Sequence, residues 1–277
     1  MTLAIKKAFD ITKENIVTAQ PLIVFLLVIS LTSVGLAQQS NKIAFIIFFI
    51  SNFLLTTAFL SGWFYMVKKT IELSKVEYAR VEEKSAASFD LLKDFFPGVS
   101  AYFVPVTVIF LIYVLLSACI IYFVGIDWGF GYLSSNNIHP DKIYQTALQS
   151  QQALEKYLYS MTFAQIRAIN IWMMALTCAV TLFNFVTMFW FPAIFYIEKI
   201  NFWTPFVSFW KSLKFLFKNF FGAFGIMCFL SVLNFIVFMI NAIFSINIIL
   251  SVIAFFIMFY FATYYVILIF LYYDTKQ

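Results

Sequence analysis

Six stretches of the chain carry no Asp, Glu, Lys or Arg: 16–37, 43–67, 99–124, 168–197, 220–240 and 247–273. A helix needs about 20 residues to cross the hydrocarbon core of a bilayer, and each stretch is long enough. In hydrocarbon every backbone donor must be satisfied inside its own segment, so continuous apolar runs imply α-helices. A barrel would show alternating segments of about ten residues instead. The pattern predicts an all-α fold, a polytopic transmembrane helical bundle of about six spans, with residues 1–277 forming a single integral membrane domain.

The polar stretches between the runs have a pattern of their own. Segments 8–15, 88–95 and 212–219 precede the first, third and fifth runs, and each mixes apolar residues at helical spacing with lysine. Such amphipathic helices lie in the membrane interface, apolar face down and lysines toward headgroups. The arrangement predicts three helical-hairpin repeats, 1–67, 68–197 and 198–277, each with an interfacial lead-in helix. Lys13, Lys93, Lys214 and Lys218 are the candidate contacts to lipid headgroups, anionic ones in particular.

Two connections are long. Between 68 and 97, Ile71, Tyr78, Ser85, Phe89, Leu92 and Phe96 trace an apolar stripe among alternating charges, which predicts a charge-paired helix and a candidate docking surface for a protein partner. Between 125 and 167, Gly125, Gly129 and Gly131 predict a loop leaving the membrane, and Pro140 after His139 predicts a helix start. Tyr144, Leu148, Leu154, Tyr157, Leu158 and Met161 then form a further apolar stripe.

Charge orients these elements. Fourteen of the 18 Lys and Arg lie in the N-terminal segment, the second and fourth connections and the C-terminal tail; four lie in the odd-numbered connections. Positive charge is retained on the cytoplasmic side, so the split predicts a multi-pass cell (inner) membrane protein with both termini in the cytoplasm. The net charge of +5 therefore does not point to nucleic acid. Trp63, Trp128, Trp172 and Trp190 fall near predicted helix ends, at headgroup depth. Lysines ahead of the first run followed by Gly35-Leu36-Ala37 mimic a signal peptide, but the run is long and flanked by Asp10 and Glu14, and a retained helix is expected.

Composition sharpens the class. The chain is 63 % hydrophobic and 11 % charged, with 38 Phe, and its mean hydropathy is +0.93. A soluble domain carries about 25 % charged residues, so most of this surface faces lipid. Cys119, Cys178 and Cys228 sit inside apolar runs without metal or disulfide spacing, which predicts inert, packed thiols.

Phe191-Pro192-Ala193-Ile194, Glu198, and then Ser212, Lys214, Lys218 and Asn219 leading into another span resemble a broad, uncharacterised group of prokaryotic six-helix membrane proteins. That group includes the membrane domain of some glycerophosphoryl diester phosphodiesterases and its stand-alone relatives. The catalytic barrel of those enzymes is absent here, so the resemblance implies no catalytic residue, only an envelope protein with a link to lipids.

Candidate chemistry is sparse. His139 is the single histidine, which excludes a multi-histidine metal site, and no nucleophile elbow, P-loop or dinucleotide fingerprint occurs. No cofactor is expected. The spans lack the ionisable groups that ion-coupled transport uses. Asn52, Thr56, Asn184, Thr187 and Asn234 form a candidate polar intramembrane cluster, whose expected role is interhelical hydrogen bonding. The expectation is a non-enzymatic integral membrane protein that binds lipids or a partner. A transporter or permease subunit for a neutral or lipidic molecule is the alternative. A lipid-modifying enzyme built around Asp127, His139 and Asp141 is the second alternative.

Overall fold

A computed structural model of the chain describes residues 2–37, 41–76 and 81–277. The fold is all-α, a polytopic bundle with six helical segments long and apolar enough to cross a membrane. Among the described residues there is no strand. The helices are α1 (Thr2–Glu14), α2 (Gln20–Ala37), α3 (Lys42–Leu73), α4 (Val81–Asp90), α5 (Phe95–Ile120), α6 (Gly129–Ser135), α7 (Pro140–Gln149), α8 (Gln151–Tyr159), α9 (Phe163–Thr187), α10 (Trp190–Phe195), α11 (Thr204–Lys218), α12 (Phe220–Phe244) and α13 (Ile248–Lys276). Single 3-10 turns, Ile16–Ala19 and Leu91–Asp94, join α1 to α2 and α4 to α5. The chain forms two compact units: Met1–Phe110 with Thr187–Gln277, and Leu111–Val186.

In the first unit the hydrophobic core is gathered at one end of the helices. The last turns of α3 and α13 are buried, whereas the second half of α2, the first half of α3, the second half of α12 and the first half of α13 expose most of their large apolar side chains. An exposed apolar surface of this extent suits hydrocarbon, not water. The short helix α10 is almost wholly buried and packs against α3, α11 and α13. Its Phe195 ring meets Tyr102, Phe64 and Phe270 at centroid distances of 4.4, 6.1 and 5.9 Å. The sequence predicts one uninterrupted run here. Pro192 explains the break at Met188-Phe189, because it has no N–H to offer the carbonyl four residues back.

The lead-in segments share one design. Ala8, Ser88 and Ser212 are buried, and so are Ile11, Leu91 and Phe215, three residues further along each segment. At the ends of α1 and α11 the same turn recurs. Asn15 and Asn219 have φ −123°, ψ 44° and φ −115°, ψ 27°, and their side-chain amides donate to the carbonyls of Ile11 (3.0 Å) and Phe215 (3.1 Å). The same two carbonyls also accept from the Asn15 and Asn219 backbone N–H groups, so each Asn closes its helix with main chain and side chain on one acceptor as the chain turns into the next.

Three expectations are corrected. The stripe in 68–97 is not one helix face: α3 runs to Leu73, α4 begins at Val81, and Leu91 rather than Leu92 is the buried leucine, with Phe89 and Phe96 exposed. Tyr78 lies outside the described residues. A spacing count carried past the end of α3 at Leu73 and through the 3-10 turn Leu91–Asp94 loses its phase at each junction.

The second correction concerns the glycines. In the unit Leu111–Val186 they do not form a loop. Ile121–Trp128 is π-helical and leads into α6, and the Trp172 indole N–H donates to the Gly125 carbonyl at 3.0 Å. A Cβ on Gly129 would stand 2.1 Å from Trp172 Nε1, so the glycine permits the approach of the indole. The helix ends at Ser135, and two residues on Asn137 takes the left-handed region (φ 57°). Ile138 N–H closes onto the Leu133 carbonyl, and both side chains are buried with Ala168. This is the hydrophobic C-cap that an αL residue allows.

The third correction is to the thiols: Cys119, Cys178 and Cys228 are exposed on their helices. A span that is apolar all round carries no periodicity to separate its lipid face from its packed face.

Candidate membrane-interface site

The densest polar chemistry of the first unit lies where the lead-in segments meet the ends of α3 and α13. α1 lies along α13: Phe9 meets the edges of Tyr260 and Tyr264, and Tyr264 Oη donates to the Ile5 carbonyl at 3.4 Å. Where the chain turns from α1 into α2, Trp63 of α3 donates its indole N–H to the Thr18 carbonyl (2.8 Å), and the Thr18 and Thr70 hydroxyls share a hydrogen bond of 3.2 Å. Ser88 of α4 donates to Asn15 Oδ1 at 2.6 Å, and Lys84 pairs with Glu14 at 2.8 Å. Lys75 pairs with Asp274 at 2.7 Å. The segment following α3 is thus tied to both chain ends.

Below these pairs a cavity of about 380 Å³ is lined by Lys69, Glu72, Asp90, Asp94 and four apolar residues. Glu72 takes Lys69 at 2.8 Å and Lys68 at 3.6 Å. Hydrogen bonding to Glu72 raises the Lys69 ammonium above its ordinary pKa against the opposing effect of burial. Burial raises the Asp94 carboxyl; Lys69 opposes that rise, and Glu72 and Asp90 add to it. Among the described residues no group of three His, Cys, Asp or Glu could hold a metal ion.

The four lysines singled out by sequence are all solvent-exposed. Lys93 also pairs with Asp90 at 2.5 Å, and that hydrogen bond raises its pKa. Lys214 and Lys218 lie on α11, whose outer face the sequence reading missed. Trp203, Phe206, Trp210 and Phe217 are exposed there at helical spacing, Trp210 by 70 % and Phe217 by 74 %. Lys211, Lys214 and Lys218 run beside them, one step round the helix. The opposite face is buried through Thr204, Ser208, Ser212 and Phe215, with the Trp190 indole donating to the Pro205 carbonyl at 3.0 Å. Aromatic rings beside lysines suit the boundary between headgroups and acyl chains. The signal was present as an i, i+3, i+7, i+14 aromatic spacing from Trp203.

Two of the polar residues at depth, Asn52 and Asn184, bridge helices, each in a different unit. Asn52 of α3 accepts from Thr32 of α2 at 2.7 Å, and Thr56 donates back to the Asn52 carbonyl. In the second unit Asn184 accepts from Tyr113 at 2.7 Å. Thr187 is buried at the end of α9, and Asn234 is exposed on α12.

Fold and site together define a multi-pass α-helical membrane protein with an amphipathic, lysine-bearing end. Comparison with known families, curated proteins and solved structures finds no match for this chain.

Proposed function

We propose that this chain is a non-enzymatic protein of the cell membrane, with both termini in the cytoplasm, which binds anionic lipid headgroups along its lead-in helices. The observation that carries the reading is α11, with one face packed on the bundle and the other presenting aromatics beside lysines. A helix that merely faced water would not display two Trp and two Phe. The sequence resemblance to the phosphodiesterase-linked membrane domains supports the same lipid-related role. The segment 68–97 spends Lys69, Lys75 and Lys84 on internal pairs and leaves Lys93 the most exposed of its paired lysines, which favours lipid over a protein partner as the ligand of this end.

Each lysine near an anionic headgroup contributes roughly 1 kcal/mol, and salt weakens it. Four such contacts bias lipid choice without driving insertion, which the apolar spans supply. Replacing Lys13, Lys93, Lys214 and Lys218 by Gln should lower the anionic lipid that co-purifies with the protein, and replacement by Glu should lower it further. An unchanged amount in the Glu variant overturns the proposal.

A further inference from the structure

We infer that the first unit holds one membrane phospholipid in a built groove, deepening the lipid-binding role proposed above and resting on it. The groove measures about 400 Å³ and is framed by α2, α3 and the start of α5: Gln20, Val24, Phe25 and Val28 on one side, Leu55 and Phe59 behind, Leu92, Phe95 and Phe96 on the other. Its wall is rigid. Phe25 and Phe59 stack with centroids 4.1 Å apart and planes 5° from parallel, and Phe95 closes on Phe59 at 6.4 Å.

Three observations identify the occupant. Gln20 and Leu92 stand where α2 and α5 begin, beside the lysine-bearing lead-ins, so the mouth lies at headgroup level. From Gln20 to Val28 the groove follows α2 for about 12 Å at 1.5 Å per residue, straight into hydrocarbon depth. The one polar residue of the lining stands at the mouth, Gln20 with its amide; Lys93, next in sequence to the lining Leu92, is exposed and pairs with the surface carboxylate of Asp90. A slot that is aromatic at depth and donor-bearing at its mouth matches an acyl chain joined to a phosphate. An exposed carboxylate beside Lys93 leaves its ammonium open to exchange that partner for a phosphate.

The test uses the full chain in vesicles of phosphatidylethanolamine and phosphatidylglycerol carrying a trace of phospholipid with a diazirine on its acyl chain. Illumination should place adducts on Val24, Phe25, Val28 and Leu55 several-fold above exposed span residues outside the groove, such as Ile47 and Phe238. Native mass spectrometry after a delipidating wash should show one retained lipid, lost at least tenfold in Ala58→Phe, which fills the groove, and kept in Ile47→Phe. Adducts spread in proportion to exposed area mean ordinary annular lipid and overturn the inference, as does a retained polypeptide in place of the lipid. The outcome is separable from that of the lysine variants. Loss of anionic preference in those variants, with equal retention in Ala58→Phe, upholds headgroup binding and removes the groove.

Discussion

Gly129 shows how a single residue is read differently from sequence and from structure. In the sequence it is one of three glycines in a polar stretch, the mark of a loop. In the structure it sits on a helix because Trp172 occupies the space where a side chain would stand. Gly129→Ala gains about 1 kcal/mol of helix propensity. It loses more, since overpacking a fitted contact costs about 1–3 kcal/mol and displaces the Trp172 bond to Gly125. The expected result is a lower thermal midpoint in detergent; a rise would show that the indole moves aside freely. Asp94 offers a second test at this scale. Its carboxyl is raised above its ordinary 3.8, chiefly by burial. The folded state therefore binds this proton more tightly than the unfolded chain does. Stability from this group is fullest below the ordinary carboxylate range and declines as pH rises from there through the raised value. Asp94→Asn should flatten that decline in a pH series of thermal midpoints, while an unchanged slope would assign it to other carboxylates.

At the scale of elements, the spans were legible because an uninterrupted apolar run long enough to cross hydrocarbon has few other uses. The lead-in helices were legible for a related reason: lysine at helical spacing just ahead of such a run marks an interface. What the sequence hid was the phase of each helix. Burial of Ile11 and Phe215 follows from contacts with α13, in the second case with the Tyr272 and Tyr273 rings, and burial of Leu91 from contacts with α3; spacing within each segment does not reveal those partners. The polar clasp of Thr18, Trp63 and Thr70 was hidden for the same reason, since its members are separated by about fifty residues. The outer face of α11 is within reach of a spacing count, because its aromatics stand at i, i+3, i+7 and i+14 from Trp203. If that face lies in the interface, Trp203 and Trp210 sit shallow in the bilayer. Lipids brominated near the headgroup should then quench the protein's fluorescence more in the wild type than in the Trp203→Phe, Trp210→Phe double variant. Equal quenching in both would place these rings in water and remove the interfacial role of α11.

For the molecule as a whole, the two chain ends belong together. α1 packs along the middle of α13, with Phe9 against Tyr260 and Tyr264, and an even number of spans returns the chain to the side on which it began. The first unit concentrates its core and its ion pairs at this same end, which fixes the geometry of the lead-ins while leaving the apolar flanks of the spans to lipid. Which side of the membrane this end faces is a separate matter, decided by charge. Fourteen Lys and Arg against four favour the cytoplasm. Neutralising Lys13, Lys93, Lys214 and Lys218 leaves ten against the same four, so lipid preference and orientation respond differently to one variant. A fluorescent protein fused after Gln277 should mature and fluoresce in cells, in the wild type and in the four-lysine Gln variant alike. Alkaline phosphatase at the same position should stay inactive, because it requires export to form its disulfides. Phosphatase activity in the wild-type fusion would sink the topology. Activity in the Gln variant alone would show that the four lead-in lysines, rather than the summed charge, hold the protein in its orientation.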